Sequence, residues 1–189
     1  MAVLESILAI MSRMNESFAD MLAVGGKLNS LGRVNDVIEL VLQDKSRLDE
    51  LYACLFNKDA WIRMRAADAL EKICREHPEW VRPYIDRMQT ELATSTQPSI
   101  QWHLAQIYRE VDLTAQQKEL AIDWLKRLVA TVDVDWIVAA NTLETLVQFS
   151  QDGSVAGHDV VALLKIQQQH KSKSVVRRAT KLLDKLNQG

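Results

Sequence analysis

Glycine and proline are scarce in this chain: 6 Gly and 3 Pro in 189 residues. That scarcity argues against a fold of strands and tight turns, which draws on both residues at its corners. Cysteine is nearly absent as well. Cys54 and Cys74 have no metal-ligand spacing, with only His77 near them in sequence, so they read as free buried thiols in a reducing compartment rather than a disulfide framework or a zinc site. No run approaches the roughly 18 consecutive apolar residues that a membrane span requires. The N-terminus has no basic residue before Arg13 and only short apolar stretches, unlike a secretory signal; a cytoplasmic location is expected. Large net charge is missing too: the total is −2, which gives no general affinity for polyanions.

What is present favours helix. Ala, Leu, Gln, Lys and Glu, all good helix formers, are plentiful, and 48% of residues are hydrophobic. Leu4, Ile7, Met11, Met14, Phe18 and Met21 alternate in steps of three and four, one apolar stripe of a helix over 3–23. Gly25 and Gly26 should end it. The spacing then predicts helices over 33–43, 46–56, 60–76, 79–93, 98–110, 115–131, 135–150, 157–170 and 173–187. Local chemistry marks the breaks: Asn57-Lys58-Asp59 leads into one helix, Pro78 suits a first-turn position, and Thr114 with Gln117 has capping-box spacing. No strand pattern is visible.

Charge is uneven along this series. Residues 165–189 hold seven Lys or Arg and one acid, Asp184. Such a basic C-terminal helix could meet an acidic partner or a nucleic acid, but a solvated helix face with cations near a C-terminal end explains it more simply.

The pattern repeats. Ile62, with Ala66, Ala69, Leu70 and Ile73 behind it, recurs 38 residues on as Ile100, with Leu104, Ile107, Tyr108 and Val111. A further 38 gives Val138, with Thr142, Thr145, Leu146 and Phe149, and another 37 gives Val175, with Ala179, Leu182, Leu183 and Leu186. An amphipathic helix and a short turn precede each copy. One such pair cannot bury its apolar face alone, so neighbouring pairs must stack.

The segment Ile62-Arg63-x-x-Ala66-x-x-Ala69-Leu70 resembles the second-helix motif of HEAT repeats, and Pro83 is similar to the proline that kinks their first helix. The resemblance covers 46–187. It implies an all-α, right-handed αα superhelix, a HEAT-like (armadillo-like) solenoid of about four helix pairs. Residues 1–45 form an N-terminal cap or divergent repeat, and 1–189 is one domain. The family's Asp–Arg ladder is largely replaced here: Arg63 fills the Arg position, but Asn57 stands at the Asp position, and Gln101 and Ala139 replace the Arg in the next two copies.

No catalytic constellation is visible. The four histidines, His77, His103, His158 and His170, form no His-x-x-x-His pair. Deoxyhypusine hydroxylases, a HEAT-like branch, bind iron through His-Glu dipeptides; here the following residues are Pro78, Leu104, Asp159 and Lys171. Alkylpurine DNA glycosylases of similar architecture carry a Trp-x-x-x-Asp pair. Four residues beyond Trp61, Trp80, Trp102, Trp124 and Trp136 stand Arg65, Tyr84, Gln106, Leu128 and Ala140, so that pair is missing. Asp133 and Asp135 precede a helix and read as caps. Gly25-Gly26 is no phosphate loop, and Gly153-Ser154 lacks the pattern of a nucleophile elbow.

No enzyme, cofactor or metal is therefore expected. The leading expectation is a scaffold or adaptor that binds another protein on its concave face. Arg63, Arg65, Trp102, His103, Arg178, Lys181 and Lys185 are the candidate contacts, their groove position being implied by the resemblance. Arg and Trp are favoured hot-spot types. A nucleic-acid binder related to the glycosylases but without their catalytic pair is the alternative. An enzyme-associated subunit like the bilin-lyase relatives of HEAT repeats is a third. The stripe of Met11, Met14, Phe18 and Met21 offers either a docking face or packing onto 33–56.

Overall fold

The structure, a computed structural model, describes residues 16–25 and 30–187, all helix, turn or loop with no strand among them. The helices are α1 Phe18–Ala23, α2 Val34–Gln43, α3 Leu48–Cys54, α4 Ala60–Glu76, the broken helix α5 over 78–92, α6 Pro98–Glu110, α7 Ala115–Leu128, α8 Trp136–Gln151, α9 Gly157–Gln167 and α10 Lys173–Asn187. Three of these, α4, α6 and α10, match the sequence-based bounds to the residue. By contacts the chain forms two compact units, one ending at Ile73 and the other beginning at Cys74.

The helix starts follow from capping chemistry, because the first backbone N–H groups of a helix need acceptors. Ser17 accepts from the Asp20 amide at 3.1 Å, Asp59 from Trp61 at 2.7 Å and Asp135 from Ile137 at 2.9 Å. Thr114 and Gln117 close a reciprocal capping box, with bonds of 3.2 and 3.0 Å. Pro78 and Pro98 occupy first positions, where a missing N–H costs nothing. Pro83 lies deeper and breaks α5. The chain passes from Pro78–Val81 through a 3-10 turn at Arg82–Tyr84 and a helical turn at Ile85–Arg87 to a π turn at Met88–Leu92. A proline inside a helix removes a backbone bond and crowds the preceding turn, which accounts for the break at this point.

In the first unit, α1 packs on α2 and α3. Phe18, Met21 and Leu22 are fully buried there, beside Val37, Val41 and Leu51. The apolar stripe is thus core at Phe18 and Met21; Met11 and Met14 lie outside the described residues. Arg47 stacks 3.9 Å over the Phe18 ring and pairs with Glu50 at 2.7 Å. Glu50 in turn accepts the Phe18 amide at 2.6 Å. Gly32 has a positive φ of 55°, and a Cβ there would fall on the Val24 carbonyl, so only glycine fits.

In the second unit the helices alternate between two layers. The second helices of successive pairs pack side by side, α6 on α8 and α8 on α10, while α7 and α9 pack against the helices that follow them. Small residues allow close approach: Ala105, Ala139 and Ala179 are completely buried. Tyr108 meets the edge of Trp124 with ring centroids 5.8 Å apart. Polar side chains span one repeat to reach carbonyls left over in loops. Trp124 donates to Ala93 at 2.9 Å, and Gln167 donates to Val129 at 3.0 Å and Thr131 at 2.7 Å. The His170 Nε2 lies 2.9 Å from the Val134 carbonyl, and Nδ1 accepts the Ser172 amide at 2.9 Å. With Nδ1 accepting, Nε2 is the nitrogen that donates to the carbonyl. The same bonds explain why α7 and α9 stop about three residues short of the expected 131 and 170. The carbonyls beyond Leu128 are committed to Gln167, and the residues after Gln167 turn to place His170.

Gln167→Met keeps the side chain's volume but strands two carbonyls at the end of α7. The expected result is a loss of about 1–3 kcal/mol, the usual penalty for unsatisfied buried polar groups, measured by urea denaturation followed by circular dichroism.

Candidate functional site

The seven candidate contacts have separate fates. Arg63 turns back on its own helix start, its Nη1 donating to the Asn57 and Lys58 carbonyls at 2.7 and 2.9 Å. Gln101 does the same work one repeat on, donating to Ser95 at 3.0 Å. Arg65 is 4% exposed. Its guanidinium donates to Leu22 at 2.6 Å and Ser30 at 2.9 Å, with Ala23 at 3.5 Å. A cation placed on the free carbonyls at the end of α1 is electrostatically well placed. Gly25 leaves room for it: a Cβ there would lie 1.9 Å from the Arg65 Nη2. Burial thus takes Arg65 out of the accessible surface. His103 is also out, at 1% exposure, stacked with Trp102 at a centroid distance of 3.4 Å. Trp102 is half-buried on the other side of that stack.

The remaining three meet. Arg178, Lys181 and Lys185 on α10 line an open groove of about 750 Å³, walled by α8 and α6. Arg109 and Glu110 come from α6, and Glu144, Val147, Gln148 and Gln151 from α8. Helical spacing puts these on one face of each helix. Glu144 sits at the centre of the polar network. One of its carboxylate oxygens accepts from Arg178, and the other accepts from Arg109 at 3.2 Å. Arg109 also holds Glu110 at 3.1 Å. Among the described residues Lys185 reaches only the Gln151 side-chain oxygen, at 3.5 Å. Lys181 makes no hydrogen bond or ion pair among the described residues, and both lysines are exposed. The groove can therefore bind through charge, with Val147 and Leu182 supplying an apolar floor.

A family model described as a HEAT repeat domain matches residues 26–127. This chain belongs to the HEAT-repeat family. The match runs from before α2 to the last turn of α7, and the internal repeat carries the HEAT pattern on through α8, α9 and α10. The crystal structure of an engineered protein is similar at a TM-score of 0.59 and 15% identity, covering 99% of this chain and 84% of that one; the likeness is one of fold. No curated protein matches the chain.

Arg109 and Glu144 were not among the candidates drawn from the sequence. The HEAT register itself carries the signal for Glu144: the sixth position after Ile62, Ile100, Val138 and Val175 holds Asp68, Gln106, Glu144 and Lys181. Reading polar as well as apolar positions across the copies marks Glu144 and Lys181 as equivalents. Elsewhere the described residues contain no group of three or more His, Cys, Asp or Glu placed to hold a metal ion. No helix among them is long and apolar enough to cross a membrane.

Cys54 and Cys74 are both buried and neither is in a disulfide. Burial, helped by the nearby Glu50 charge, pushes the Cys54 thiol up from 9.0 to about 11.

Two outcomes follow. Arg65→Met should destabilise the protein by about 1–3 kcal/mol through its stranded carbonyls, whereas Lys181→Met should stay within about 0.5 kcal/mol, as exposed substitutions usually do; urea titrations compare them. Cys54 should be alkylated by iodoacetamide far more slowly in the native protein than in urea at pH 8, since a two-unit rise leaves about a hundredfold less thiolate. Its stabilising contribution is complete below pH 9 and lost as the pH rises towards about 11. Mass spectrometry of the Cys54 peptide across pH reads the reactivity, and equal rates in both states would contradict the burial.

Proposed function

We propose that this HEAT-repeat chain is a non-enzymatic scaffold that binds a partner protein in the groove formed by α6, α8 and α10. The single observation behind this reading is the convergence of Arg109, Arg178, Lys181 and Lys185 on one open concavity built from second helices. Repeat stacking supplies such a surface as a by-product of core formation, and binding is a common use of it. Arg and its neighbours there have the mixed polar and apolar character of an interface. Two buried cysteines outside any disulfide suit a reducing compartment, in keeping with a cytoplasmic protein.

A bind-and-capture comparison tests the reading. The wild-type bait, an Arg178→Glu/Lys181→Glu bait and a Lys165→Glu/Lys171→Glu bait of equal charge change are each exposed to lysate with and without nuclease. The expected result is a defined protein that survives nuclease, is retained by the second control pair and is lost from the groove variant. Retention by all three baits would place the interface elsewhere. Capture that vanishes with nuclease would replace the protein partner by a nucleic acid.

A further inference from the structure

The groove's charges are not uniform, and their arrangement carries more than a general tendency to bind. Four cations line it, together with the three carboxylates of Glu110, Glu144 and Asp184. Glu144 spends one oxygen on each of two arginines, from two different helices. It is 27% exposed at the side chain, and its partner Arg178 is 48% exposed, so solvent and ligands have access to this bridge. One turn beyond Arg178, Lys181 has no partner among the described residues. From this we infer that the groove takes an acidic peptide segment, and that Glu144 is an internal competitor standing where a carboxylate of that segment binds. The inference rests on the groove reading given above and specifies its ligand.

A carboxylate arriving between Arg178 and Lys181 exchanges one ion pair for another at Arg178 and adds a new one at Lys181, so the exchange gains where Glu144 alone cannot reach. Glu144 meanwhile lowers the positive potential that the incoming carboxylate feels, weakening encounter and affinity. The three acids also select the ligand class. A phosphate backbone is charged at every residue and would set some phosphates against Glu110, Glu144 or Asp184. A polypeptide places its acids only where cations await them and lays apolar side chains on Val147 and Leu182.

The test is fluorescence anisotropy with a fluorescein-labelled peptide of alternating Glu and Leu, its Gln-for-Glu counterpart, and a single-stranded oligonucleotide. Each is titrated with the full chain as wild type, Glu144→Gln and Lys181→Glu, at matched helicity by circular dichroism. The Glu peptide should bind wild type and lose affinity with added salt, while the Gln peptide fails. Glu144→Gln should tighten Glu-peptide binding by about three- to tenfold, and Lys181→Glu should weaken it by about tenfold or more, the range of one partly exposed charge. Unchanged or weaker binding by Glu144→Gln would mean that Glu144 braces Arg178 for the ligand, and would overturn the competitor role. Stronger binding of the oligonucleotide than of the Glu peptide would overturn the acidic-peptide assignment. Absence of peptide binding alongside groove-dependent capture from lysate would sink this inference and leave the groove reading intact; groove-independent capture would remove that reading itself.

Discussion

The second unit depends on side chains of one repeat completing the backbone of the repeat before it. Trp124, Gln167 and His170 each reach back to loop carbonyls, at Ala93, at Val129 and Thr131, and at Val134. Thr145 does the same inside the helix layer, donating to Ala105 at 2.8 Å. A carbonyl left without a partner in a buried place costs as much as a lost hydrogen bond. Each bond therefore couples the order of two neighbouring repeats. It also fixes their relative rotation, since an indole or amide donor has little angular tolerance. An Asp–Arg ladder could serve the same end with charge. This chain uses mostly neutral donors onto carbonyls, which carries a smaller desolvation penalty than burying ion pairs.

Fixing the loops fixes the groove. With the pairs held at their turns and Ala105, Ala139 and Ala179 buried between helices, the second helices lie close together. Their polar positions then have no freedom to avoid one another. Glu144 meets Arg109 from one side and Arg178 from the other because α8 is packed between α6 and α10. The charge network is thus a consequence of the core rather than a support for it. Salt bridges as exposed as these contribute little to stability, which leaves their residues open to a role in recognition.

Much of this was legible in the sequence, for reasons that can be named. The apolar register of Ile62, Ile100, Val138 and Val175 is imposed by core packing, and these residues are 7%, 3%, 0% and 0% exposed. Helix starts were readable from a short polar side chain or a first-position proline at Thr114, Asp135 and Pro98, but not at Ser17, which is extended and caps α1 where the apolar stripe predicted one helix running through from 3 to 23. The limits of that reading show in two arginines at one register position. Arg65 and Arg178 both stand three residues into their copies, and from sequence both offer a cation to a partner. Around Arg65 lie the unfinished carbonyls at the end of α1, and it is drawn in among them. Arg178 has an exposed neighbourhood and one carboxylate from α8. Periodicity tells which positions are equivalent in the backbone. It does not tell which polar groups surround a long side chain, because those come from other repeats or from outside the repeat series.

That separation between a regular backbone and irregular polar surroundings is what lets such a chain be specific. The core positions recur, so substitution there is penalised in every copy by cavities or strain. The sixth positions do not recur: Asp68, Gln106, Glu144 and Lys181 share one place in the repeat and differ in charge. Within the second unit, Gln106, Glu144 and Lys181 set an order of signs along the spacing of α6, α8 and α10. On the proposed groove reading, a ligand would be selected by matching that order, with like-charge juxtaposition rejecting those that do not match. Within the second unit the order runs from neutral Gln106 through acidic Glu144 to basic Lys181. Reversing the sign at the exposed Lys181 should therefore change which ligand binds while leaving the stacking of the helices untouched.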